Sequence, residues 1–137
     1  MDAHSIRQAL DRIKDSDYFE SESAALVDHW KAAGVGAEAI PVILRFMEDS
    51  PDVLYGLPGR LTKFIEGFPS ETYVPEVLKS LARRPAAQTV WMLHRYSNVV
   101  ESESQREQLL RVIDHCRWHP LADDAVRDEV EMLLDED

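Results

Sequence analysis

Apolar residues along this chain recur at i, i+3, i+4 and i+7, the spacing that lines up one face of an α-helix. Five segments follow that template: Ile6/Ala9/Leu10/Ile13, Ile40/Ile43/Leu44/Met47, Leu61/Phe64/Ile65/Phe68, Val74/Val77/Leu78/Leu81 and Leu109/Val112/Ile113/Cys116. Three more fit it loosely. They are marked by Leu26, Val27 and Trp30, by Val90 to Leu93 continuing through Tyr96, Val99 and Val100, and by Val126, Val130, Leu133 and Leu134. No stretch alternates apolar and polar residues, so the pattern predicts an all-α protein of about eight helices without strands.

Turn-forming residues divide the segments in the same places. Gly34 and Gly36 separate the second helix from the third, Gly67 with Pro69 ends the fourth, and Pro85 falls between the fifth and sixth. Ser102 with Gln105 and Ser104 with Glu107 both have capping-box spacing for the seventh. Pro120 suits the first turn of the eighth, and Pro41 and Pro75 are read as early-turn residues of the third and fifth. The sixth segment is apolar nearly all round at Val90-Trp91-Met92-Leu93, which predicts a central helix with Trp91 in the core.

Alternate stripes begin at Ile6, Ile40, Val74 and Leu109, intervals of 34, 34 and 35 residues. A steady period of that length with two helices in each is what stacked helical hairpins produce. The expected architecture is four antiparallel hairpins in a HEAT-like α-solenoid forming one domain over residues 1–137. A compact helical bundle is the alternative.

Composition narrows the function classes. A chain of 137 residues with 45% hydrophobic and 30% charged residues can bury a core without staples and is not disordered. No apolar run nears the roughly 20 residues that span a bilayer. The start, Met1-Asp2-Ala3-His4-Ser5, has no basic n-region or apolar h-region, so no signal peptide is expected. A lone Cys116 suits a reducing compartment, and a cytoplasmic protein is the expectation. The net charge of −11 divides as −5 over residues 1–50, +2 over 51–100 and −8 over 101–137. Such a field repels phosphate backbones and speeds encounter with a basic protein, so direct nucleic-acid binding is not expected.

Candidate chemistry is sparse. His115-Cys116-x-x-His119 would put two histidines on one helical face, where they could ligate a metal. Three features argue for a structural role: no HExxH glutamate is present, Cys116 completes an apolar stripe, and His119 before Pro120 falls past the helix end. The chain contains no GxSxG, GxxxxGK[ST] or GxGxxG motif and no paired CxxC. His29 and His94 are isolated, and Arg83-Arg84 is too short for a nucleic-acid patch. No catalytic role, cofactor or metal is therefore expected. The loop Asp52-x-x-Tyr55-Gly56-Leu57-Pro58-Gly59 mixes turn formers with an aromatic, a composition that suits a tight helix-to-helix turn with Tyr55 capping the core or, alternatively, a contact loop.

The segment from Tyr55 to Arg95 resembles a family of small bacterial immunity proteins that act against polymorphic or contact-dependent toxins. The matching elements are Tyr55-Gly56-x-Pro58-Gly59, Phe64-Ile65-Glu66, Tyr73, Ser80-Leu81, Pro85 and Thr89-Val90-Trp91-Met92-Leu93-x-Arg95, with His94 where an Asn is expected. The resemblance implies a cytoplasmic protein, HEAT-like in some relatives, that binds a co-encoded toxin domain and blocks it. That partner would be basic and commonly a nuclease. Expected contacts are Tyr55 and Glu66 with the acids Asp49, Asp52, Glu101 and Glu103 near helix ends. A scaffold or adaptor that reads a host protein or peptide on the same architecture is the alternative. A monomer with no membrane association is expected in the free state.

Overall fold

The structure, a computed structural model, describes residues 1–50 and 59–135. Among them are eight helices and no strand: α1 (Ala3–Ile13), α2 (Phe19–Ala32), α3 (Ala39–Asp49), α4 (Arg60–Glu66), α5 (Ser70–Arg83), α6 (Ala87–Ser97), α7 (Glu103–Cys116) and α8 (Asp124–Asp135). Each apolar stripe read from the pattern begins on one of them, though Phe68 lies past the end of α4 and Val99 and Val100 past the end of α6. None of the described helices is long and apolar enough to cross a membrane.

Short polar side chains start several of these helices by accepting a backbone N–H that the first turn leaves unpaired. The Asp2 carboxylate takes the Ser5 N–H at 2.8 Å, and that bond holds its carboxyl below the usual carboxylate range. Ser102 takes the Gln105 N–H at 3.2 Å, so of the two caps the spacing allowed, the earlier one begins α7. Thr89 does the reverse at α6, its hydroxyl accepting the Ala86 N–H at 3.1 Å. The end of α2 is a Schellman turn. Val35 N–H reaches the Trp30 carbonyl at 2.9 Å and Gly34 N–H the Lys31 carbonyl at 3.2 Å, while Gly34 has φ +74°. Only glycine adopts that left-handed conformation without strain, which explains Gly34 at this position.

Four local expectations are corrected. Pro120 is not in the first turn of α8, because the Asp123 side chain caps the helix by accepting the Val126 N–H at 3.0 Å and so sets a later start. Pro75 is the sixth residue of α5, inside the helix. The Pro69-Ser70 start adds a turn ahead of the apolar stripe, with Tyr73 N–H reaching the Pro69 carbonyl at 3.2 Å. Helix α6 stops at Ser97, which leaves Val99 71% exposed. Trp91 is half-buried rather than in the core, with the Arg95 guanidinium 5.5 Å above its ring, while Val90, Met92 and Leu93 fill the interior.

The chain divides into two compact units, Met1–Glu76 and Val77–Asp137, and the division falls inside α5. In the first unit α1 packs on α3, α2 on α4, and α1 on α2. Ile6, Leu10, Trp30, Ile43, Phe46 and Met47 are fully buried there, each contributing about 1.5–3 kcal/mol of transfer free energy. Phe19 stacks on Phe46 with centroids 6.3 Å apart, and Trp30 meets Phe64 edge-on at 5.8 Å. In the second unit α6 packs against both α7 and α8, and α7 against α8, around Val90, Leu93, Ile113 and Val130.

Candidate functional site

The residues selected from the sequence fall in different surroundings. Asp49, the last residue of α3, is not a free charge: Arg7 reaches it from α1 at 2.9 Å and also holds Asp11 at 3.0 Å. The same guanidinium lies 5.7 Å above the Phe46 ring, so the Arg7–Asp49 pair ties α1 to α3 in the first unit. Glu66 closes α4 and is half-buried. Glu101 and Glu103 flank the Ser102 cap at the start of α7, are exposed, and have no cation at ion-pair distance among the described residues. Glu103 sits in the first turn, where a carboxylate also complements the helix dipole. Asp52 and Tyr55, with the loop from Asp52 to Pro58, lie outside the described residues.

The histidine pair separates as the helix boundary dictates. α7 ends at Cys116, so His115 remains on the helix, exposed, while His119 lies in the following turn. His119 bonds the Ala82 carbonyl through Nε2 at 2.9 Å and takes the Leu121 N–H on Nδ1 at 3.0 Å. The tautomer that satisfies both bonds carries its proton on Nε2, so no ring lone pair is left over for a metal. No group of three histidines, cysteines or acids placed to hold a metal ion occurs among the described residues. Cys116 points inward as its stripe requires, donating its thiol hydrogen to the Val112 carbonyl at 3.3 Å, and burial pushes the thiol up to about 11.

Beside this histidine, α5 and α7 leave an apolar cleft of roughly 230 Å³ lined by Leu78, Leu81, Ala82, Val112, His115, Cys116 and His119. Trp118 (71% exposed) and Leu121 (53%) follow in the same turn, with Arg117 5.2 Å from the Trp118 ring and paired to Asp114.

A second surface feature, in the first unit, was missed in the sequence. Asp17, Tyr18, Glu20, Ser21, Ala24 and Arg60 line an open depression of about 450 Å³ where the α1–α2 turn approaches the start of α4. Tyr18 is 73% exposed, while its neighbour Phe19 is buried against Phe46. The stripe read for the second helix begins only at Leu26, which leaves Tyr18 outside it. The available signal was its position between carboxylates, Asp17 before it and Glu20 after it. Arg60 on the wall is paired with Asp28 at 2.9 Å.

These features define an all-helical, helical-hairpin protein whose surface displays carboxylates and a few exposed aromatics. No protein-family model, curated protein or solved structure matches the chain significantly. Chemically, the arrangement offers negative charge at helix ends, an aromatic ring within an acidic depression, and an apolar cleft.

Proposed function

We propose that this protein is an immunity protein that binds a basic toxin domain and blocks it by direct occlusion, without catalysis of its own. The observation that carries this reading is the set of exposed carboxylates that no cation of the described residues neutralises: Asp15, Asp17 and Glu20 in the first unit, Glu101 and Glu103 in the second. Ion pairs inside the protein use other acids, among them Asp49, Asp28, Asp114 and Asp124. With a net charge of −11, the remaining carboxylates steer a positively charged partner, and a few desolvated anchors then hold it. The likeness of Tyr55–Arg95 to immunity proteins supports a toxin as that partner, and a basic nuclease domain suits the charge.

The test is expression of the adjacent reading frame in a heterologous host, alone and together with this chain. Killing by the neighbour alone, rescue on co-expression and a one-to-one complex on purification are the expected results. A harmless neighbour that forms no complex would sink the proposal. The apolar α5–α7 cleft beside Trp118 favours a second reading, an adaptor that seats an apolar side chain of a host peptide. That reading predicts several weak partners and no protection.

A further inference from the structure

We infer that the depression at the α1–α2 turn receives a lysine or arginine side chain of a basic partner protein, with Tyr18 as its aromatic wall and Asp17 and Glu20 as its counter-charges. The inference rests on the partner-binding function proposed above and adds the surface that performs it.

The protein itself shows how its aromatics are used. Phe46 has Arg7 over its ring at 5.7 Å, Trp91 has Arg95 at 5.5 Å and Trp118 has Arg117 at 5.2 Å. Tyr18 is 73% exposed and no arginine or lysine of the described residues stacks on it. A cation placed over an aromatic face is attracted by the ring quadrupole, and nearby carboxylates reinforce the attraction.

The surroundings select a cation over an anion. Tyr18 is the residue before α2, and a helix start presents roughly half a positive charge. Against that stand the full charges of Asp17 and Glu20, which line the depression, are exposed and are unpaired among the described residues. Arg60, the one base lining the depression among the described residues, has its charge taken by Asp28 at 2.9 Å, so it does little to repel an incoming cation. The volume of about 450 Å³ admits a long side chain.

The Tyr18 backbone is also fixed in advance. Its N–H donates to Ser16 Oγ at 3.0 Å, and its carbonyl accepts the Glu22 N–H at 2.9 Å and the Ser21 hydroxyl at 3.1 Å. A ring on a fixed root loses little conformational freedom on binding, which is the character of an anchor residue.

The experiment is a titration of the ¹⁵N-labelled full chain with a hexa-arginine peptide at low salt, followed through amide chemical shifts. Shifts centred on Asp17–Ala24 and Arg60 are expected. Tyr18→Ala should weaken binding roughly two- to fivefold, the range of an exposed cation–π contact, while Tyr18→Phe keeps the ring and the affinity. Asp17→Asn with Glu20→Gln should weaken binding at least as much, and gives a second readout if Tyr18→Ala disturbs folding. Glu107→Gln with Asp128→Asn, two exposed acids of the second unit, should leave the Asp17–Ala24 shifts in place. A footprint on the acids of α7 and α8, no binding at all, or full affinity in Tyr18→Ala would each overturn the assignment. Toxin protection that survives every Tyr18-site variant would reject this surface and leave neutralisation standing. A peptide footprint at Tyr18 without any toxin protection would do the opposite.

Discussion

Both ring nitrogens of His119 are committed to backbone partners, Ala82 on one side and Leu121 on the other, so the side chain works as a bracket between α5 and the α7–α8 turn. His119→Ala should lower the stability of the protein by about 1–2 kcal/mol in chemical denaturation, the loss of two half-exposed hydrogen bonds. His115→Ala, on the exposed helix face, should stay within about 0.5 kcal/mol. Micromolar zinc should leave the melting temperature unchanged, and a rise would restore the metal site. Cys116 follows from burial as well. Its thiol is pushed up to about 11, so at pH 8 it stays protonated and should react with a maleimide only after denaturation. An unfolded thiol ionises near 8.5. The contribution of Cys116 to stability is therefore intact below that pH and declines as the pH rises towards 11, which denaturation measured across that range would show. The inward turn of Cys116 was legible from its place in the Leu109/Val112/Ile113 stripe. The acceptors of His119 were not, because Ala82 is 37 residues away in the chain.

At the level of the helix, Pro75 is the residue least suited to its place. It removes the N–H that would bond the Glu71 carbonyl and crowds that same turn. Both Pro75 and Glu71 are exposed, so water can serve the orphaned carbonyl, which makes the arrangement tolerable though not optimal. Pro75→Ala should therefore stabilise the protein, by about 1–3 kcal/mol, read as a higher urea midpoint with an unchanged slope. An unchanged midpoint would mean that α5 is already bent to relieve the clash. Helix ends separate what could be read from what could not. Gly34 and Gly67 end α2 and α4 as their residue type indicates, Gly34 past the last apolar residue of its helix and Gly67 ahead of Phe68, the last residue of its stripe. The start of α8 was misplaced because Pro120 alone is read as its first-turn residue, with no part given to Asp123. The local hydrogen bond of Asp123 sets the start.

For the whole molecule the controlling property is charge. A net charge of −11 on 137 residues makes encounter with a basic partner sensitive to screening. Raising salt from about 0.05 to about 0.5 M should slow association with that partner roughly tenfold or more while changing dissociation far less, as stopped-flow mixing would resolve. Equal rates at both salts would remove electrostatic steering from the proposed mechanism. The all-helical class was visible from the stripes, and those that begin at Ile6, Ile40, Val74 and Leu109 lie on α1, α3, α5 and α7. The division into two compact units inside α5 was not visible, since Val74, Val77, Leu78 and Leu81 form one unbroken stripe across it.

The sequence by itself determined that this chain is helical, where most of its helices lie and which residues fill their buried faces. Those properties depend on spacings of three and four residues and on the local chemistry of Gly, Pro, Ser and Asp. Tertiary structure alone decided which charges are paired within the protein and which are unpaired among the described residues. Asp49 and Asp17 look alike in sequence, yet Arg7 reaches the first across 42 residues and nothing among the described residues pairs with the second. Trp91, expected in the core, is half-buried, and Tyr18, which the pattern did not single out, is 73% exposed. Exposure of a ring depends on which helices pack against it, and that contact lies beyond the reach of any local pattern.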